Sequence, residues 1–159
     1  MNNFLKIFVA LLFICGCDKM ETSQLVIETE NGTVPYRVEI ASTLSQLETG
    51  LMNRQFLDAD AGMLFDLSHV PNKVTAMWMK DTKLPLDMLF LTKEGVVFWI
   101  KEQAKPYSEE LIISPFPAAA VLEINGGDVA KHQIKIGQRV KNKLFKPIEH
   151  GGTANISAQ

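Results

Sequence analysis

Between Gln24 and Leu144 apolar residues recur with a period of two in one short run after another, and turn residues separate the runs. A period of two belongs to a strand with one buried face. The period lengthens to that of a helix at Thr43, where Leu44, Leu47 and Leu51 follow a Thr43-x-x-Gln46 capping box. This predicts one helix over about 43–53. Gly50 would cost that helix about 1 kcal/mol against Ala, so a close backbone contact is expected there. Asp128 can cap one further helical turn, to about His132. One helix among many short strands argues for a mainly β fold: a small antiparallel β-sandwich or barrel-like domain with the helix packed against it.

The runs follow in order. Residues 24–30 and 33–40 flank Asn31-Gly32, the strongest short hairpin signal, and Pro35 points to an edge or a bulge. Residues 62–65 are a short apolar strand. In 74–80 the period of two sets Ala76, Trp78 and Lys80 on one face and Met77 and Met79 on the other. Leu84-Pro85 forces an extended entry into the strand at 86–91. Lys93-Glu94-Gly95 reads as a hairpin loop with Gly in the left-handed position, leading to a strand at 96–101. Residues 102–118 are mostly loop, 119–124 are a strand, and 134–144 return as β. A single domain over 24–145 and a flexible polar tail over 146–159 are expected.

The N-terminus reads as an export signal. Lys6 precedes an apolar run, Ile7 to Ile14, far short of the roughly 20 apolar residues of a membrane span. Ile14-Cys15-Gly16-Cys17 resembles a lipobox, which implies lipidation of Cys17 and removal of residues 1–16. Residues 17–23 are then an acylated Cys and a polar tether. The six residues 18–23 reach at most about 20 Å, so the domain is expected close to the bilayer, facing the periplasm. Asp18 resembles the signal that retains lipoproteins in the inner membrane of enterobacteria-like hosts. The 2 Cys are Cys15 and Cys17, so the domain has no thiol to form a disulfide and relies on its core. A net charge of −2 and no basic patch argue against nucleic acid as a partner.

Several phrases fit one pattern. Gly50-Leu51-Met52-x-Arg54, Gly62-Met63-Leu64-Phe65, Trp78-Met79-Lys80-Asp81-Thr82-x-Leu84-Pro85-Leu86-Asp87 and Val121-Leu122-Glu123 resemble the prokaryotic family called domain of unknown function 192, over roughly residues 24–144. The resemblance implies a compact, mostly β domain, often exported, with no established activity. Two positions depart from the family pattern: Asp81, where the family usually has Asn, and Gln138, where it often has Asp. The first adds a carboxylate beside Lys80.

The candidate site is the Trp78–Asp87 turn. Asp87 shares a strand face with Leu89 and Leu91, and a carboxylate there is costly unless paired or hydrogen-bonded. One reading is structural: Asp87 accepts backbone N–H groups of the 81–84 turn or pairs with Lys80. The other sets Lys80, Asp81 and Asp87 around a shallow polar site walled by Trp78. Glu123, beside Val121 and Leu122, poses the same question. Met77 and Met79 point one way, and thioethers favour Cu(I), with Met52, Met63 and Met88 able to join them; Met also fills irregular core gaps, so no metal or cofactor is assigned. The 3 His have no ligand spacing, and no nucleophile elbow, phosphate loop or zinc pattern occurs. Asp87 and Glu123 as a glycosidase-type acid pair are the catalytic alternative. The residues favour a non-catalytic binding module, using Trp78, Lys80, Asp81, Asp87 and Glu123 to hold a small envelope ligand such as a glycan, or a partner protein's loop. The anchor has a direct test: Cys17→Ser is expected to release the protein from membranes into the soluble fraction, and retention on membranes would exclude the lipobox.

Overall fold

A computed structural model describes residues 19–71 and 74–145. The export signal, Cys17, Asp18 and the tail from Lys146 lie outside the described residues. Nine strands and two short helices follow in order: β1 (Glu21–Thr29), β2 (Gly32–Ala41), α1 (Leu44–Thr49), β3 (Ala61–Asp66), β4 (Ala76–Met77), β5 (Leu86–Leu91), β6 (Val97–Ala104), β7 (Ile112–Ile113), β8 (Ala120–Asn125), α2 (Asp128–His132) and β9 (Arg139–Lys141). Seven strands form one sheet in the order β6-β5-β8-β3-β2-β1-β9, and β4 pairs with β7 in a separate ribbon.

The long sheet curls until its outer strands meet. Val97 N donates to Gln138 O (2.9 Å), Gly137 N to Val97 O (2.8 Å) and Val140 N to Gly95 O (2.8 Å), joining the start of β6 to β9. The domain is therefore barrel-like. Period-two alternation sends one set of side chains inside, among them Leu25, Val38, Leu64, Leu89, Leu122 and Val140. The opposite set, Met63, Phe65, Leu86, Met88, Phe90 and Val121, points outward beneath a second layer made by the 44–57, 67–71, 74–84 and 105–118 segments. β5 and β8 are thus covered on both faces, which is why Leu86–Leu91 is buried throughout.

Several expectations need correction. The predicted helix ends at Thr49 rather than near residue 53, with Thr43 and Gln46 forming both bonds of the capping box. Gly50 closes the helix at φ 48°, where a Cβ would meet the Phe65 ring at 3.0 Å. The close contact expected at Gly50 is this one, at the helix end instead of its interior. The sheet is not wholly antiparallel: β2 and β3 run parallel, because the α1 crossover returns the chain in the same direction. Of residues 74–80 only Ala76 and Met77 pair as a strand, and the β run expected over 134–144 shortens to β9. β1 starts earlier than expected, and 102–118 contains the end of β6 as well as β7. Pro35 lies opposite Val26, and β3 pairs with β2 only from Arg37 onward, so its missing N–H falls on an open edge.

One end of the barrel is tied by Asp87. Its side chain is fully buried on the inner face with Leu89 and Leu91. Oδ1 accepts from Gln103 N (2.8 Å), while Oδ2 accepts from Gly127 N (2.9 Å) and Val129 N (2.8 Å). One carboxylate thereby joins β5, a kink in β6 where Gln103 has φ 49°, and the first turn of α2. Beside it Tyr36 donates to Asp128 Oδ2 (3.0 Å). Burial, and then Asp128, hold the Tyr36 phenol well above its ordinary pKa. The structural reading of Asp87 is correct in kind, but its partners are neither the 81–84 turn nor Lys80. Asp87→Ala leaves three N–H groups, one buried and two part-buried, without an acceptor and is expected to cost on the order of 3–5 kcal/mol. Urea unfolding measures this, with Asp87→Asn losing less; a loss below about 1 kcal/mol would contradict the bracing role.

Candidate functional site

The cross-strand register sets the site. Glu123 lies opposite Met63 of β3 on one side and Met88 of β5 on the other, so all three point to the outer face of the sheet. Asp87 pairs with Ile124, one position away, and a shift of one residue reverses the face. The two carboxylates therefore stand on opposite sides of the sheet, and the pair needed for glycosidase-type chemistry does not form.

Glu123 is 4% exposed. It accepts no hydrogen bond and makes no ion pair among the described residues, and its carboxyl borders the pocket and is not sealed in the core. Burial alone pushes its carboxyl up to about 8, so at neutral pH the group is mostly protonated. It lines a pocket of about 20 Å³ with Met52, Phe65, Met77, Trp78 and Thr82, enough room for one water-sized group. A wider groove of about 300 Å³ adjoins it and shares Leu47, Glu48, Phe65, Met77 and Trp78 with the pocket. Leu44, Leu67, Val70, Thr75 and Ala76 complete the groove. The result is an apolar cleft between α1 and the 75–82 segment, floored by Phe65, with Glu123 at its deep end.

Local folding explains the walls. Gly50 lets the end of α1 pass directly over the Phe65 ring, bringing Leu47 and Met52 to the cleft. On the other wall Met79 N donates to Ser108 O (2.9 Å) and Thr82 N to Met79 O (3.1 Å). The Thr82 hydroxyl donates to Lys80 O (3.0 Å), which closes a tight turn and directs Thr82 inward. Asp81 is exposed at this turn with φ 50°, and its carbonyl accepts from Asn53 N (2.8 Å). Asn and Asp both tolerate that left-handed backbone, so Asp81 in place of the family's Asn keeps the turn. Further along the loop Arg54 grips Glu39 of β2 through both guanidinium nitrogens. That hydrogen bonding holds the Glu39 carboxyl below its usual range and fixes the 50–57 segment to the sheet.

Of the five residues singled out in the sequence, the cleft brings Trp78 and Glu123 together. Lys80 lies against the indole, with Nζ 5.4 Å from the Trp78 ring centroid, a cation–π arrangement. Asp81 stays at the exposed turn, and Asp87 belongs to the barrel interior. Residues the sequence did not mark are Leu47, Glu48 and Thr82. Thr82 sits inside the Trp78–Asp87 stretch, but its inward direction depends on the fold of the turn. Met63, Met79 and Met88 are fully buried in the outer layer with Phe65 and Phe90. Sealed thioethers of this kind fill a core, whereas Met77 and Met52, the other members of the copper alternative, are partly buried at the cleft wall.

Glu123 also makes stability depend on pH. The folded value of about 8 lies above the ordinary 4.5, so across that interval the folded protein keeps a proton that the unfolded chain has lost. Stability is then full below about pH 4.5 and falls as pH rises through 8. Glu123→Gln removes this dependence. Its urea midpoint is expected to exceed that of the wild type by a margin that grows from pH 5 to pH 9; a margin independent of pH would contradict the burial effect.

No curated protein matches this chain. Among solved structures it is similar to a crystal structure from Sinorhizobium meliloti 1021 described as "a putative transcription regulator", at 39% identity over 79% of this chain and 97% of that one, with a TM-score of 0.75. It is also similar to a protein of unknown function from Novosphingobium aromaticivorans DSM 12444, at 32% identity over 79% of this chain and 89% of the other, with a TM-score of 0.73. The family model described as uncharacterized ACR, domain of unknown function 192, matches residues 26–142. The chain belongs to the domain of unknown function 192 family.

Proposed function

We propose that this chain is a lipid-anchored, periplasm-facing binding module whose ligand occupies the cleft between α1 and the 75–82 segment and satisfies Glu123. The observation that carries this reading is the Glu123 carboxyl, buried in the middle of a central strand without a partner among the described residues. Such a group destabilises the fold by roughly 1–3 kcal/mol if it stays unsatisfied. Its oxygens nevertheless border open space lined by Trp78, Met52 and Thr82. A cleft with apolar walls and a few convergent polar groups is the usual form of a ligand site.

A binding role accounts for the site better than catalysis does. Asp87 is spent on three backbone N–H groups on the far face, and no cluster of three or more His, Cys, Asp or Glu able to hold a metal occurs among the described residues. The anchor rests on the lipobox-like residues 14–17. Among the described residues no helix is long and apolar enough to cross a membrane.

The test replaces Leu44, 74% exposed on the cleft rim, with a photo-crosslinking amino acid in the full chain in its host. It is combined with native mass spectrometry of the gently purified protein. A co-purifying small molecule or a crosslinked partner is expected, and Glu123→Gln is expected to diminish it at least fivefold. Neither a bound mass nor a crosslink in the wild type would overturn the reading.

A further inference from the structure

The direction of the β4 backbone bears on what the cleft holds. β4 has β7 on one side and no other paired strand among the described residues. Ser114 N donates to Thr75 O (2.9 Å), and Met79 N donates to Ser108 O (2.9 Å). Thr75, Met77 and Met79 therefore turn their backbone groups toward the β7 side. Bonding alternates along an antiparallel strand, so the N–H and C=O of Ala76 and Trp78 point off the opposite, free edge. The groove lies along that edge: it is lined by Thr75, Ala76, Met77 and Trp78 with α1 facing them, and by no residue of β7. An edge of this kind, bordered by apolar side-chain pockets, is the geometry of strand addition, in which main-chain bonds supply affinity and alternate side chains supply selectivity. A two-stranded ribbon is also marginal by itself and gains from a third strand.

Charge narrows the occupant. Glu48 stands at the groove and Glu123 at its deep end, and no Lys or Arg lines either part among the described residues. The space before Glu123, about 20 Å³, takes an ammonium group, which is close to water in size, and not a planar guanidinium. We propose that the cleft binds an extended polypeptide segment, added as a third strand against the free edge of β4, with one lysine side chain reaching Glu123 past Glu48. This rests on the reading of the cleft as a binding site and names the partner's chemistry. Ion pairing with the lysine draws the Glu123 proton into solvent, consistent with its raised value in the unbound protein.

The experiment probes an array of blocked pentapeptides, aliphatic-Thr-Z-Thr-aliphatic with Z any residue, with the full chain and with Glu123→Gln. Wild type is expected to prefer lysine at Z over arginine and norleucine at least tenfold, and Glu123→Gln is expected to lose that preference. The strongest binder is expected to slow amide exchange at Ala76 and Trp78 at least tenfold, and to release protons on binding at pH 7 in calorimetry compared between two buffers. Equal binding of the same peptide N-methylated on its edge-facing amides would overturn strand addition. Arginine preferred to lysine would overturn the lysine assignment. No binding by any peptide, alongside a co-purifying small molecule that Glu123→Gln diminishes, would overturn this inference and leave the binding-module reading standing. If the Leu44 position also captures nothing, both fall.

Discussion

The fold depends on satisfying Asp87. A carboxylate fully enclosed by a barrel of aliphatic side chains is tolerable only with a complete set of donors, and Gln103, Gly127 and Val129 supply them. Each donor belongs to a different irregularity: a left-handed residue that kinks β6, the turn after β8, and the opening turn of α2. The same carboxylate that is expensive to bury is what brings these three segments to one point. Because the donors are backbone groups, the tie does not depend on which side chains occupy 103, 127 and 129, only on the chain following that path.

Glu123 faces the same cost on the adjacent strand and meets it differently. Among the described residues it has no donor, and burial pushes the carboxyl up to about 8, toward its neutral form at physiological pH. Register separates the two acids: Asp87 turns into the barrel, and Glu123 turns outward between Met63 and Met88. One acid therefore holds the structure, and the other faces the cleft. Between Glu123 and solvent lie only the residues of the outer layer, and their arrangement depends on the Gly50 passage over Phe65 and the turn at Asp81.

Much of the fold was legible. The Thr43–Gln46 capping box and the Gly95 hairpin loop are local chemistry and appear where their residues predict them. The first hairpin forms with Glu30-Asn31 as its loop and Gly32 already in β2, and the turn over Asp128–His132 forms with Gly127, not Asp128, at its cap. The helix end was misjudged because Leu51 keeps helical spacing although Gly50 has already left the helix. The parallel β2–β3 pair was not legible, since period two describes a strand's faces and not its direction. The 74–80 run failed as a continuous strand because alternation marks which residues are buried, whereas strand pairing needs a partner, which β7 supplies for only two residues.

For the site, the residues alone established the Trp78–Asp87 stretch as unusual, Asp87 and Glu123 as acids on apolar strands, and the family. Alternation separated Met77 and Met79 from Ala76, Trp78 and Lys80 without showing which set faced the core. Only the tertiary structure decided that Asp87 and Glu123 are on opposite faces, that among the described residues one accepts three hydrogen bonds and the other none, and that α1 makes the facing wall. Those facts are set by cross-strand register and by contacts between segments distant in the sequence. A one-residue change in the β5–β8 pairing would have set the two acids on the same face while leaving every local pattern unchanged.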